Sequence, residues 1–224
     1  MKPMTEEHLA LFRRHMVEII EMHFDLASDE IGTAKLDPQL RRALMEVPRH
    51  LFVPQSLMLM AYQDTPLPIG FDKTISQPFI GAVMIELLKL EPGNRVLEVG
   101  TGYGYQAALM AEMGAEVFGI EVVEEFAEAA DTRFAALGYH VEVRIGDGSR
   151  GWPEHAPFDR VLVTAASSEA PPALVEQLKP GGRMIIPVGG EEMQQLSMIE
   201  KGAGGQVTTR PIMPVRFTQL EAAA

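Results

Sequence analysis

The chain has 224 residues, 46% of them hydrophobic, a formal net charge of −12 and no cysteine. That length supports one substantial core, and the missing thiols exclude disulfides, thiolate metal sites and a cysteine nucleophile. The acidic balance argues against a nucleic-acid partner held through its phosphates, and no apolar run approaches the roughly 20 residues of a bilayer span.

Thr5 can cap a first helix whose opening turn holds Glu6 and Glu7, residues too polar for a signal peptide, so a cytoplasmic protein with no membrane partner is expected. Leu9, Phe12, Met16, Ile19 and His23 recur at helical spacing, and this helix is predicted to end near Phe24. His8, His15 and His23 stand on the order of 10 Å apart along its axis, too far to share a metal, and no metal is expected. The basic residues Arg13, Arg14, Arg41, Arg42 and Arg49 read as a solvated face. Ser28, Asp29 and Gly32 mark a loop, and Asp37-Pro38 opens a short helix over Leu40, Ala43, Leu44 and Val47.

From Pro48 to Pro78 prolines interrupt any long element, yet Phe52, Leu67, Ile69 and Ile75 are apolar enough to predict a loop packed on the domain. Its last residues, Thr74 to Pro78, precede a helix predicted from Phe79 to Leu90. Ser76 or Gln77 can cap that helix, or its N-terminus can hold an anion; taken on these residues alone, capping is preferred.

Apolar strands and amphipathic helices then alternate as in a doubly wound α/β sheet. Strands are predicted at Val96–Val99, Val117–Glu121, Val141–Ile145, Arg160–Thr164 and Met184–Val188. Helices are predicted at Tyr105–Met113, Val123–Leu137 and from Pro171-Pro172 to Pro180. Gln195–Glu200 and Ile212–Phe217 read as a closing antiparallel pair, making the sheet Rossmann-like and mostly parallel. One domain, 1–224, is expected: an N-terminal helical extension (1–57), a substrate-side loop (58–80) and a cofactor-binding sheet core (81–224).

The first strand of this core runs into Gly100, Gly102 and Gly104, which let the chain reverse into a helix. Glu98, Glu121 and Asp147 fall near the carboxyl ends of three strands, where doubly wound sheets bind ligands. Glu121 lies about 20 residues past the glycines, a position from which an acid accepts from ribose hydroxyls, and Asp147 can accept from an adenine amino group. A dinucleotide fingerprint needs glycine where this chain has Tyr105, and so many acids would repel a pyrophosphate. S-adenosylmethionine, with its sulfonium and ammonium, suits an acidic mouth; S-adenosylhomocysteine is then the product.

Several separate stretches carry a wider likeness: Val47–Pro54, Ala61–Asp64, Leu67–Gly70, Thr74–Pro78, Leu97–Ala107, Gly146–Gly148, Gly151–Asp159 and Leu178–Arg183. With them the chain, from about Arg13 to Phe217, resembles the protein-L-isoaspartate O-methyltransferase family. The resemblance implies methyl transfer from S-adenosylmethionine to the α-carboxylate of L-isoaspartyl residues in damaged proteins and peptides, with repair through a succinimide; a monomer is expected. It makes Ser76 the active-site hydroxyl, a positioning group and not a nucleophile. By the same likeness Thr74, Ile75, Gly100, Thr101, Gly102, Tyr103, Glu121, Val122, Asp147 and Gly148 fall on cofactor positions. Thr164, Ala165 and Val215 join Ser76 on the substrate side, and the last strands of the sheet take an altered order.

The chain departs from the family pattern at Asp72 and Lys73, where glycine and glutamine are usual, at Tyr103, commonly a small residue, and at Thr218–Leu220. Lys73 reads as a solvated loop lysine. A related methyltransferase acting on another peptide carboxylate or a small molecule is the alternative, followed by a fold that binds the cofactor without turnover.

Overall fold

Seven strands form the frame of the molecule, and the computed structural model describes residues 5–221, so both extreme ends of the expected 1–224 domain lie outside the described residues. The elements run α1 (Glu6–Leu26), α2 (Ser28–Ile31), α3 (Pro38–Glu46), β1 (Leu67–Gly70), β2 (Lys73–Ile75), α4 (Pro78–Leu88), β3 (Arg95–Val99) and α5 (Tyr105–Glu112). They continue through β4 (Glu116–Glu121), α6 (Glu124–Leu137), β5 (Val141–Ile145), β6 (Phe158–Val163), α7 (Pro172–Glu176), β7 (Leu178–Gly189), β8 (Gln194–Lys201) and β9 (Val207–Val215).

The sheet order is β5-β4-β3-β6-β7-β8-β9. The first five of these strands pair in parallel, whereas β8 runs antiparallel to both β7 and β9. β3 is therefore the switch point, with β4 leaving to one side and β6 to the other. A crevice opens at its carboxyl end, where the glycine turn lies. Alternation along the strands feeds two cores. Val96 and Leu162 join Phe24, Leu44 and Leu88 on one face, and Leu97 and Val161 join Trp152, Phe158 and Leu174 on the other. Burying each such large apolar side chain contributes about 1.5–3 kcal/mol.

Five expectations are corrected. The buried stripe of α1 is Leu9, Arg13, Met16, Val17, Ile20 and Phe24, while Phe12 is exposed. Arg13 is not solvated: Tyr62 Oη and the Met45 carbonyl accept from it at 3.2 and 2.9 Å, and Glu6 pairs its charge at 3.3 Å, so it is satisfied where an apolar residue would otherwise sit. The expected loop at Ser28 to Gly32 contains the helical turn α2, closed by Gly32 in the left-handed conformation. α7 ends at Glu176 and β7 begins at Leu178, because Pro180, Gly181 and Gly182 form a bulge between the Phe158–Leu178 and Arg160–Arg183 pairs. β9 starts earlier than Ile212 and ends at Val215.

The long proline-rich loop is packed, as its apolar content predicts. It folds into two 3₁₀ turns, Arg49–Phe52 and Gln55–Met60, and the hairpin β1–β2. Phe52, Leu67, Ile69 and Ile75 are buried beneath it.

Candidate active site

Gly100, Gly102 and Gly104 all have positive φ. Two of them also have no room for a side chain. A Cβ on Gly100 would lie 2.6 Å from Thr164 Oγ1, and one on Gly104, the N-cap of α5, would collide with the Phe134 ring. Thr164 fixes the turn from β6: its hydroxyl lies 2.7 Å from the Gly100 carbonyl, and its amide donates to the Val99 carbonyl at 2.9 Å.

Glu121 braces the same turn from β4. Its Oε2 accepts from the Gly102 amide at 2.6 Å, and its Oε1 accepts from the Val122 and Val123 amides at 2.9 and 3.0 Å. A carboxylate offers about four acceptor positions, so this one retains about one for a ribose hydroxyl. Asp147 is drawn into its own turn, where Oδ1 accepts from the Ser149 amide and hydroxyl at 2.9 and 2.7 Å and Oδ2 meets Arg150. The Ser149 hydroxyl chiefly holds the Asp147 carboxyl below the usual range. Glu98 differs from both: it is fully buried in β3, and neither carboxyl oxygen has a protein partner. Burial and then the neighbouring Glu121 push its carboxyl well above the usual range, against a smaller opposing pull from the Thr101 hydroxyl.

The acceptor side is built on the hairpin. Its two-residue loop, Phe71-Asp72, has positive φ at both positions, as a tight hairpin turn of this hand requires. Aspartate tolerates that conformation, which accounts for Asp72 where the family usually has glycine. Ser76 follows β2, and its carbonyl accepts from Arg49 Nη2 at 2.7 Å, while Arg49 Nε donates to the Ala61 carbonyl at 2.8 Å. Arg49 is thus buried and structural, not part of a solvated face; backbone carbonyls brought from two later turns help make its burial tolerable. Its guanidinium also lies 4.8 Å above the Tyr105 ring.

Neither Ser76 nor Gln77 caps α4. Asp64 does, accepting from the Phe79 amide at 2.8 Å and from Gln77 Nε2 at 2.9 Å, with His23 Nδ1 3.0 Å away. The preferred capping residues are therefore replaced by an acid from thirteen to fifteen residues upstream, and this acid occupies the helix end considered for an anion.

These parts enclose a cleft of about 840 Å³, its open mouth included. Thr74, Ile75, Ser76, Gly100, Thr101, Gly102, Tyr103, Glu121, Val122, Gly148, Thr164 and Ala165 line it. Asp147 and Val215 are not among the lining residues: Asp147 caps the turn between Gly146 and Gly148, which are, and Val215 pairs with Gln194 at the end of β9. The lining also includes Ile69, Lys73, Glu98, Phe126 and the segment from Thr218 to Glu221. Hydrogen bonds from the Ala166 amide to the Thr218 carbonyl and from the Leu220 amide to the Ala166 carbonyl seat that segment, and its position was not visible in any local motif. Tyr103 packs edge-on against Phe126 at 5.1 Å beneath Arg133, which lies 4.2 Å above the Tyr103 ring. Lys73 is not a free loop lysine: its side chain is half-buried at the cleft and paired with Glu221. No three His, Asp or Glu side chains among the described residues converge as metal ligands.

The family model for protein-L-isoaspartate(D-aspartate) O-methyltransferase matches residues 26–223. The chain belongs to this family. A protein-L-isoaspartate O-methyltransferase from Polaromonas sp. is 52% identical over 219 residues, 97% of this chain and 93% of the relative. A solved protein-L-isoaspartate O-methyltransferase superimposes with a TM-score of 0.80 at 28% identity, covering 93% of this chain and 66% of that one. A Plasmodium falciparum structure described as this methyltransferase in complex with S-adenosyl-L-homocysteine shares the fold, with a TM-score of 0.78 at 24% identity, covering 93% and 98% of the two chains. In this methyltransferase family member the glycine turn and the Thr74–Ser76 segment line one cleft.

Proposed function

We propose that the chain transfers a methyl group from S-adenosylmethionine to the α-carboxylate of L-isoaspartyl residues in damaged proteins and peptides, acting as a monomer in the cytoplasm. The observation that carries this is the shared cleft, lined both by Glu98, whose buried carboxyl oxygens lack a hydrogen-bond partner, and by Ser76. Glu98 is what a cationic ligand requires, because a buried carboxyl without a partner is stabilised by a positive group placed against it. The cofactor supplies an electrophilic methyl on its sulfonium.

Gly100, Thr101, Gly102, Tyr103, Val122 and Gly148 would form the cofactor cradle, with Thr74 and Ile75 closing it. Glu121 would take a ribose hydroxyl with its remaining acceptor position. Thr164 and Ala165 would floor the acceptor side. The acceptor carboxylate is already ionised at neutral pH, so no base is needed and catalysis lies in alignment. Ser76 supplies a hydroxyl donor for that alignment, on a loop whose carbonyl is held by Arg49. The ester so formed cyclises to a succinimide, whose hydrolysis returns part of the material to normal aspartate.

The test is methylation of matched peptides carrying an L-isoaspartyl or a normal aspartyl residue with labelled S-adenosylmethionine. Base-labile label on the isoaspartyl peptide alone is expected. Equal labelling of both peptides, or cofactor binding without label, overturns the assignment.

A further inference from the structure

The acceptor in this proposal is an anion, and the chain that must admit it carries a net charge of −12. The cleft is acidic too: the Glu121 and Glu221 carboxylates line it, and among the described lining residues Lys73 is the one cation. The N-terminus of α4 offers little compensation, because its Phe79 amide already donates to the Asp64 carboxylate. A carboxylate approaching Ser76 therefore has one positive side chain to meet, three residues before Ser76 in the chain.

That side chain is engaged. Lys73 Nζ is paired with a carboxylate oxygen of Glu221, from the segment that follows β9 and is seated beside Ala166. The two partners differ in environment. The Lys73 side chain is 20% exposed and stays within the cleft wall, whereas that of Glu221 is 57% exposed and can turn to solvent without rearrangement of the core. An exposed carboxylate held by a single ion pair is readily exchanged for another carboxylate.

We propose that Lys73 is the docking cation for the acceptor's carboxylate, and that Glu221 is an internal carboxylate that holds the cation between turnovers and is displaced by the acceptor. This rests on the carboxyl acceptor proposed above. Methyl transfer removes the acceptor's negative charge, so the ester loses its hold on Lys73 and Glu221 recaptures it, which favours product release. Lys73 binds and selects, and Ser76 aligns.

The test uses the full chain and a synthetic isoaspartyl peptide, with initial rates for the wild type, Lys73→Gln, Glu221→Gln, the double variant and Lys73→Arg. Lys73→Gln is expected to raise KM for the peptide about tenfold, with kcat within about twofold and cofactor affinity by calorimetry unchanged. Added salt should raise KM of the wild type and leave that of Lys73→Gln nearly flat. Glu221→Gln should lower KM about threefold, an effect that vanishes in the Lys73→Gln background, and Lys73→Arg should restore a near wild-type KM. An unchanged KM in Lys73→Gln, or a Glu221→Gln effect that persists without Lys73, overturns the proposal while the methyltransferase reading stands. A wild type that binds cofactor but does not methylate the isoaspartyl peptide overturns both.

Discussion

Arg49 donates to the Ser76 carbonyl at 2.7 Å, so a guanidinium buried in the N-terminal extension carries the backbone of the acceptor loop from beneath. Burial lowers its pKa to about 10, and the guanidinium remains charged at neutral pH. Arg49→Met would leave the Ser76 and Ala61 carbonyls without their donor. An expected loss of about 3 kcal/mol in unfolding free energy, read by chemical denaturation, follows. Arg49→Lys should recover part of it, and in both variants kcat should fall further than cofactor affinity.

Asp64 supplies the cap of α4 from the preceding loop. Asp64→Ala should destabilise the protein by about 1 kcal/mol, which for a chain of this size lowers Tm by about 2–4 °C. Because the same residue orients Gln77 beside Ser76, turnover should drop as well. A thermal melt together with an activity assay checks both halves.

Glu98 makes a prediction with a definite sign. Its carboxyl is held above the usual range, so its contribution to folding is present below the unfolded-state value and is lost as pH rises through the folded-state value. Glu98→Gln should therefore leave the cofactor-free protein as stable as the wild type or more so at neutral pH. It should also weaken S-adenosylmethionine binding by about tenfold or more. Cofactor binding to the wild type should release protons, seen in calorimetry as a heat that depends on the buffer's ionisation enthalpy.

Ser76 and Glu121 separate the two sides of the cleft. Ser76→Ala is expected to lower kcat about 10–100-fold with cofactor affinity nearly intact, since it removes an aligning donor. Glu121→Ala should weaken cofactor binding, both through the lost acceptor and because Gly102 loses the brace on its amide. Equilibrium binding and steady-state kinetics on both variants check the division; interchanged effects would reverse the roles.

The parallel strands and the glycine turn were legible because each is written locally, in runs of apolar residues and in Gly100, Gly102 and Gly104, whereas the strand order that makes β3 the switch point was not. Twelve of the fourteen site residues proposed from sequence line the cleft, and the two that do not explain themselves. Asp147 is diverted by a hydroxyl two residues away, and Val215 belongs to a strand whose register no local pattern specifies. What was not legible depends on pairing across long separations. Arg49 looks like any loop arginine until Ala61 and Ser76 are folded over it, and Lys73 looks solvated until Glu221, 148 residues later, is brought beside it. The capping of α4 was misplaced for the same reason: a suitable polar residue stood next to the helix, and a better-placed acid came from elsewhere.

The most direct measurement of the account is conversion of the substrate itself. A synthetic L-isoaspartyl peptide is incubated with the protein and S-adenosylmethionine, and the isoaspartyl and aspartyl forms are separated by chromatography over time. The aspartyl form should accumulate at the expense of the isoaspartyl form, only with cofactor present and much more slowly with Ser76→Ala. An isoaspartyl peptide that persists unchanged while the protein demonstrably binds the cofactor would contradict it.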